Sequence, residues 1–140
     1  MSERALIDTG PMVALYAEDD PHRESCTAAL SKLTPPLLTC WPVVTEAAWL
    51  LRKRPDGFRK LIEGFSLGIF ALLPLDNDDL TAVSAVMRRY ETSGIQLADA
   101  ALAHLADREG IRIVFTIDRR DFAIIRLKRN RSLRIVPEVQ

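Results

Sequence analysis

Ile113-Val114-Phe115-Thr116-Ile117-Asp118 is an apolar run that ends on a carboxylate, and Ala5-Leu6-Ile7-Asp8-Thr9 repeats the pattern near the start of the chain. Both runs are short and rich in β-branched or aliphatic residues, so each reads as a buried strand. A carboxylate at the end of a core strand is costly unless something pairs with it. Two further acids hold comparable places. Glu46 follows Trp41-Pro42, which opens a helix, and Asp99 lies in the first turn or two of another. Four such acids with no histidine or cysteine beside them suggest oxygen ligands for a hard cation, Mg²⁺ or Mn²⁺.

Working outward, five strand candidates alternate with helices. The strands are expected over residues 4–7, 37–40, 69–73, 112–117 and 133–136. Helices are expected over 12–17, 22–32, 43–52, 58–65, 77–90, 97–108 and, more briefly, 121–125. The punctuation agrees: Asp20-Pro21 starts one helix, Pro35-Pro36 separates another from its strand, and Gly110 ends a third. In the 77–90 segment Leu80, Val83, Ala85, Val86 and Met87 form an apolar stripe against Asp78, Asp79, Arg88 and Arg89. Such alternation implies an α/β fold with a mainly parallel sheet covered on both faces. No repeat, low-complexity stretch or linker interrupts it, and 140 residues suit a single domain over 1–140.

The architecture gives the acids a meaning. Ligands of open α/β sheets bind beyond the carboxyl ends of the strands. Asp8 and Asp118 lie at those ends if both strands are parallel. Glu46 belongs to a helix that starts at the same edge. The helix bearing Asp99 must run back along the sheet before its strand, over on the order of 18 Å, so its start also lies there.

Each acid has a purely structural explanation. Asp8 suits the N-cap of a helix starting near Pro11. Glu46 suits a first-turn acid complementing the helix dipole. Asp118 and Asp121 suit a turn and cap before the last short helix. Asp99 stands apart, because Leu97, Ala98, Ala100, Ala101 and Ala103 around it leave room for close approach of backbone or ligand. Taken together, the structural explanations require four independent acids to share one edge by chance.

Composition sets the remaining bounds. The hydrophobic fraction is 48%, normal for a globular chain, and the formal net charge is zero, so global charge announces no nucleic-acid partner. Locally, Arg112, Arg119, Arg120, Arg126, Lys128, Arg129, Arg131 and Arg134 face only Asp118 and Asp121 across residues 112–134, an excess able to attract phosphates. Cys26 and Cys40 form no Cys-x-x-Cys motif and read as reduced, partly buried thiols. With no membrane-length apolar run and no leader before the first strand, a cytoplasmic location is expected. His22 and His104 have no partner at metal-ligand spacing. No glycine-rich phosphate loop is present. Trp41 and Trp49 read as core or interface anchors. Leu6-Ile7-Asp8-Thr9-Gly10 resembles the aspartic-protease signature, but those enzymes are β-rich and pair two such motifs, whereas here the motif runs into a helix.

The ordered set Asp8-Thr9, Thr45-Glu46, Leu97-Ala98-Asp99-Ala100 and Thr116-Ile117-Asp118 resembles the PIN-domain ribonucleases, especially VapC-type toxins, from Leu6 through Val136. The resemblance implies a three-layer α/β/α sandwich with a mainly parallel five-stranded sheet. It implies Mg²⁺- or Mn²⁺-dependent cleavage of RNA, a homodimer and a cognate antitoxin. It carries Asp8, Glu46, Asp99 and Asp118 over as the acidic quartet and metal ligands, Thr116 as a supporting hydroxyl and Asp121 as an outer acid. Gly10 departs from the pattern, which more usually has a small polar residue there.

The residue types suit that chemistry. Phosphodiester hydrolysis needs an activated water and stabilised charge on the phosphoryl and leaving oxygens. Arg119 and Arg120, next to Asp118, are the expected contacts to the RNA backbone. Without a cation the carboxylates are expected to be mostly ionised and mutually repelling. The competing reading is a PIN-like module that binds RNA or protein without cutting. A response-regulator-like domain fits less well: it wants adjacent acids after the first strand and a lysine after the last, where Pro137 follows Val136.

Overall fold

The computed structural model describes residues 3–138; the outermost two residues at each end of the expected 1–140 domain lie outside it. Its elements run β1 (Ala5–Ile7), α1 (Thr9–Tyr16), α2 (Arg23–Ser31), β2 (Leu37–Thr39), α3 (Trp41–Leu50), α4 (Pro55–Ser66), β3 (Phe70–Leu72), α5 (Asn77–Arg89), α6 (Leu97–Glu109), β4 (Ile113–Phe115), α7 (Arg119–Ile124), β5 (Arg126–Leu127), β6 (Arg131–Ser132) and β7 (Arg134–Val136).

Five strands form one sheet in the order β3-β2-β1-β4-β7, and every neighbouring pair is parallel. Successive side chains of a strand point to opposite faces. All three residues of β1, β2 and β4 are buried, so both faces of the sheet are covered. Helix α1 packs on α2, α3 and α4, while α5 packs on α6. The result is the expected α/β/α sandwich.

The strand order reverses between β1 and β4. From β1 the chain moves outward to β2 and β3; it then crosses back to β4 and continues to β7. Loops leaving β1 and β4 therefore diverge and open a crevice at the carboxyl edge. The register pairs Ile7 with Phe115, so Asp8 and Thr116 emerge side by side. The Asp8 N–H donates to the Phe115 carbonyl at 2.9 Å and extends the ladder into the crevice.

Local chemistry accounts for the helix ends. Asp76 and Asp79 form a reciprocal capping box at the start of α5. Gly110 closes α6 in the left-handed region, φ 68°. Helices α1, α3 and α4 begin two or three residues earlier than expected, at Thr9, Trp41 and Pro55. Proline in the first turn of a helix needs no N–H and favours such a start at Pro11, Pro42 and Pro55.

One element was absent from the sequence reading. β5 and β6 form an antiparallel hairpin, with Leu127 opposite Arg131. Its turn puts Arg129 and Asn130 at φ 64° and 57°. Two successive left-handed residues suit a tight hairpin turn. Asparagine tolerates that region; arginine there costs about 1–2 kcal/mol. No glycine marks the turn, so the usual hairpin signal is missing. Of the two roles expected for the tryptophans, core or interface anchor, burial leaves only the second: Trp41 and Trp49 are 64% and 63% exposed. Cys26 and Cys40 are fully buried free thiols. Among the described residues no helix is long and apolar enough to cross a membrane.

Candidate metal centre at the carboxyl edge

Asp8 follows β1 and stands at the N-cap position of α1, yet its side chain makes no capping bond. The carboxylate is turned to other partners. Its Oδ2 accepts the Thr116 hydroxyl at 2.8 Å. Thr116 Oγ1 in turn accepts the Asp118 backbone N–H at 3.0 Å. Asp8 and Asp99 are both buried, as is Thr116.

Asp99, in the first turn of α6, meets Asp118 and Asp121 from the start of α7. Carboxylate oxygens of these three lie within 4.8 Å of one another. The resemblance implies Asp121 only as an outer acid; its place beside Asp99 follows from α7 starting at Arg119, which puts Asp118 and Asp121 three residues apart at the start of one short element. Asp8 is close enough to raise the charge cost of Asp99, and Glu46 and Asp118 do the same to Asp8. Glu46 is exposed and sits in the second turn of α3, not the first, because the helix starts at Trp41.

The electrostatics record the crowding. Burial, first of all, pushes the Asp8 carboxyl up to about 6, against the hydrogen bonds from Thr116 and the Thr9 N–H; Glu46 and Asp118 add to the rise. Burial followed by Asp8, Asp121 and Asp118 pushes Asp99 up to about 8. Asp118 is raised by partial burial and then by the neighbouring Asp121 carboxylate. Without a cation, burial beside like charges favours the protonated form of Asp99, whereas the sequence predicts a mostly ionised set. A divalent cation would replace that proton.

The donor set fits such an ion. The clustered groups are all oxygen donors. Thr9 Oγ1, next in the chain to Asp8, is buried with no hydrogen-bond partner, and buried hydroxyls are seldom left so. Cys40 lies near Asp8, but burial pushes its thiol up to about 11, so it stays protonated and is a poor ligand.

Two close approaches shape the crevice. A Cβ on Gly10 would stand 2.6 Å from Ile117 Cγ1, so only glycine lets α1 start this near the end of β4. Arg119 donates to the Pro137 carbonyl at 2.5 Å and ties α7 to the end of β7. Arg120 is exposed, and its charge is felt by Asp118. Of the two arginines expected at the RNA backbone, Arg120 is the less committed. Beyond Glu46, the exposed faces of Trp41, Trp49 and Leu97 line a groove of about 440 Å³.

A parallel sheet with this reversal, carrying acids after β1, after β4 and at the starts of α6 and α7, defines a class of protein. Residues 5–128 match the PIN domain, and the chain belongs to the PIN domain family. Among its relatives is ribonuclease VapC26 of Mycobacterium tuberculosis, 25% identical over 123 residues that cover 86% of this chain and 91% of the relative. Among solved structures it is similar to VapC20 of Mycobacterium tuberculosis, a sarcin–ricin loop cleaving toxin, with a TM-score of 0.72 at 18% identity over 83% of this chain and 91% of that one. A toxin–antitoxin complex from Klebsiella pneumoniae gives a TM-score of 0.68 at 21% identity, over 86% and 92%. DNA-bound VapBC from Salmonella typhimurium gives 0.61 at 19%, over 95% and 96%.

Proposed function

We propose that this chain is a Mg²⁺- or Mn²⁺-dependent ribonuclease and the toxin of a toxin–antitoxin pair, acting in the cytoplasm as a single-domain protomer of a homodimer. The observation that carries the reading is the meeting of Asp99, Asp118 and Asp121 within 4.8 Å, beside a buried Asp8. The PIN family membership and the VapC relatives support the choice of RNA as substrate.

Asp8 and Asp99, the two buried acids, would be the firmest metal ligands. Glu46, Asp118 and Asp121 would supply the remaining oxygen donors. When bound, the ion supplies Lewis acidity toward the phosphoryl oxygens and the attacking water. The rest of the task falls to the protein. Thr116 holds the Asp8 carboxylate in one orientation. Asp118, at the mouth, accepts a proton from the water that attacks phosphorus. The new P–O bond forms as the P–O3′ bond breaks; O3′ takes a proton from solvent, leaving a 5′-phosphate and a 3′-hydroxyl. Arg120, with the free donors of Arg119, steadies the flanking phosphates. The exposed Trp41–Trp49 groove suits a protein interface, either the second protomer or the antitoxin, because aromatic side chains are enriched at such contacts.

Cleavage of RNA by purified protein tests the proposal. Activity is expected with Mg²⁺ or Mn²⁺ and not with EDTA, and Asp8→Asn or Asp99→Asn should reduce it by roughly two or more orders of magnitude, as loss of an essential transition-state contact does. Wild-type rates in both variants would overturn the mechanism. Metal-independent RNA binding without cutting by the wild type would favour the non-catalytic module.

A further inference from the structure

We propose that a basic recess at the amino edge of the sheet binds the phosphodiester backbone of RNA, away from the acidic centre; the choice of RNA rests on the ribonuclease reading above. The recess has a volume of about 240 Å³ and lies where α6 ends and the β5–β6 hairpin folds back against it. Its lining includes Arg112, Lys128, Arg129 and Arg131, with Asp107 as the one acid.

The fold, not the local sequence, separates these cations from the cutting edge. Helix α7 carries the chain back along the sheet from Asp118, and the Lys128 N–H then donates to Asp107 Oδ1 at 2.9 Å, in the last turns of α6. Asp99 and Asp107 are eight residues apart on that helix, so the recess stands ~12 Å along its axis from the acidic centre. That is ~3–4 phosphate steps of one nucleic-acid strand. A strand held at the carboxyl edge need extend only a few nucleotides to reach it.

Charge and backbone both support the recess. Five arginines elsewhere are paired with acids: Arg4 and Arg108 with Glu109, Arg54 with Asp19, Arg59 with Asp56 and Arg134 with Glu138. Among the described residues, the four cations of the recess have no carboxylate partner within ion-pair distance. Asp107 is the only opposing charge in the lining, so the recess is strongly positive and suits a polyanion. Arg129 is held at its tip in the left-handed region, φ 64°, where glycine would be relaxed. Strained residues of this kind cluster where a side chain is needed in one place.

Binding of a fluorescent RNA hairpin with single-stranded flanks, measured in EDTA so that no cutting occurs, tests the assignment. In Arg112→Ala/Arg129→Gly/Arg131→Ala, affinity at low salt should fall roughly tenfold, and the salt slope should drop by roughly one unit for each lost phosphate contact. Arg129→Gly alone should weaken binding while leaving the melting temperature at or above that of the wild type, which separates lost contact from lost fold. An unchanged affinity and slope in the triple variant would overturn the proposal. So would a triple variant that binds RNA normally but loses an acidic polypeptide such as polyglutamate, which would make the recess a protein site. Failure of the wild type to cut RNA with Mg²⁺ would count against the ribonuclease reading, while recess-dependent binding would stand on its own.

Discussion

The Thr116 hydroxyl donates to Asp8 Oδ2 at 2.8 Å and accepts the Asp118 backbone N–H at 3.0 Å. One buried side chain thus joins the carboxylate after β1 to the turn after β4. Thr116→Val keeps the shape and removes both bonds. It should cost ~1–3 kcal/mol in denaturant unfolding, because a buried carboxylate and a part-buried N–H each lose a partner. RNA cleavage should fall more than stability explains, and Thr116→Ser should restore it. Equal activity in Val and Ser variants would show that the hydroxyl does not position Asp8.

Mg²⁺ should raise the melting temperature of the wild type by mass action, by ~2.7 kcal/mol at a concentration of 100 Kd. Asp8→Asn removes one of the crowded charges, so the metal-free variant should melt higher than the wild type at pH 8, while its gain from Mg²⁺ should shrink. Asp8→Ala run beside it controls for the N-cap position, where alanine alone would cost ~0.5–2 kcal/mol. If Mg²⁺ shifts all three proteins equally, Asp8 is not a ligand.

The same groups set the pH dependence of the metal-free protein. Asp8 rises from 3.8 to about 6 on folding, and Asp99 from 3.8 to about 8. A raised carboxyl favours folding below its unfolded value, and the benefit is lost as pH climbs through the folded value. For Asp8 alone the difference is on the order of 3 kcal/mol. Asp79 works in the opposite direction: the Asp76 N–H, then His104 and Arg108, hold its carboxyl well below the usual range. Its contribution is present above the ordinary carboxylate range and fades in acid. In EDTA, stability should therefore peak at mildly acidic pH and decline from about pH 5 to pH 8. Saturating Mg²⁺ should flatten that decline. A metal-free melting temperature that rises steadily to pH 8 would contradict the crowding.

Gly10→Ala should be damaging although α1 is helical at that point. The added methyl would meet Ile117 at 2.6 Å. Pushing α1 from β4 should cost ~1–3 kcal/mol, as overpacking does. Gly10→Ala combined with Ile117→Val should recover part of it. Additive losses in a double-mutant cycle would mean that the two residues do not meet.

Trp41→Ser and Trp49→Ser should shift the protein toward monomer in light scattering, with little change in melting temperature of the isolated protomer, because both rings are largely exposed. Retention of the wild-type mass by both variants would remove the groove from the dimer interface.

Much of this molecule was legible in its sequence. The strands at Ala5–Ile7 and Ile113–Phe115 stand out because short apolar runs ending on an acid are hard to read otherwise. Gly110 marks the end of α6 through backbone chemistry that needs no tertiary context. The β5–β6 hairpin was not legible, because its turn uses Arg129 and Asn130 where glycine would have signalled it. The tryptophans left two roles open for a different reason: aromatic side chains report hydrophobic area, and cannot say whether that area faces the core or a partner.

The sequence by itself determined the element order, the parallel sheet and the acids Asp8, Glu46, Asp99 and Asp118, because periodicity, capping and the cost of a core-end carboxylate are local properties. Tertiary structure alone decided which of those acids touch. It brought Asp121 against Asp99 and Asp118, left Glu46 exposed on the second turn of α3, and pushed the Asp99 carboxyl upward by burying it beside like charges. It also divided one basic segment in two, leaving Arg120 beside Asp118 and taking Lys128, Arg129 and Arg131 to the opposite edge. Distance between charges depends on strand register and on the direction of α7, and neither is written in the spacing of residues along the chain.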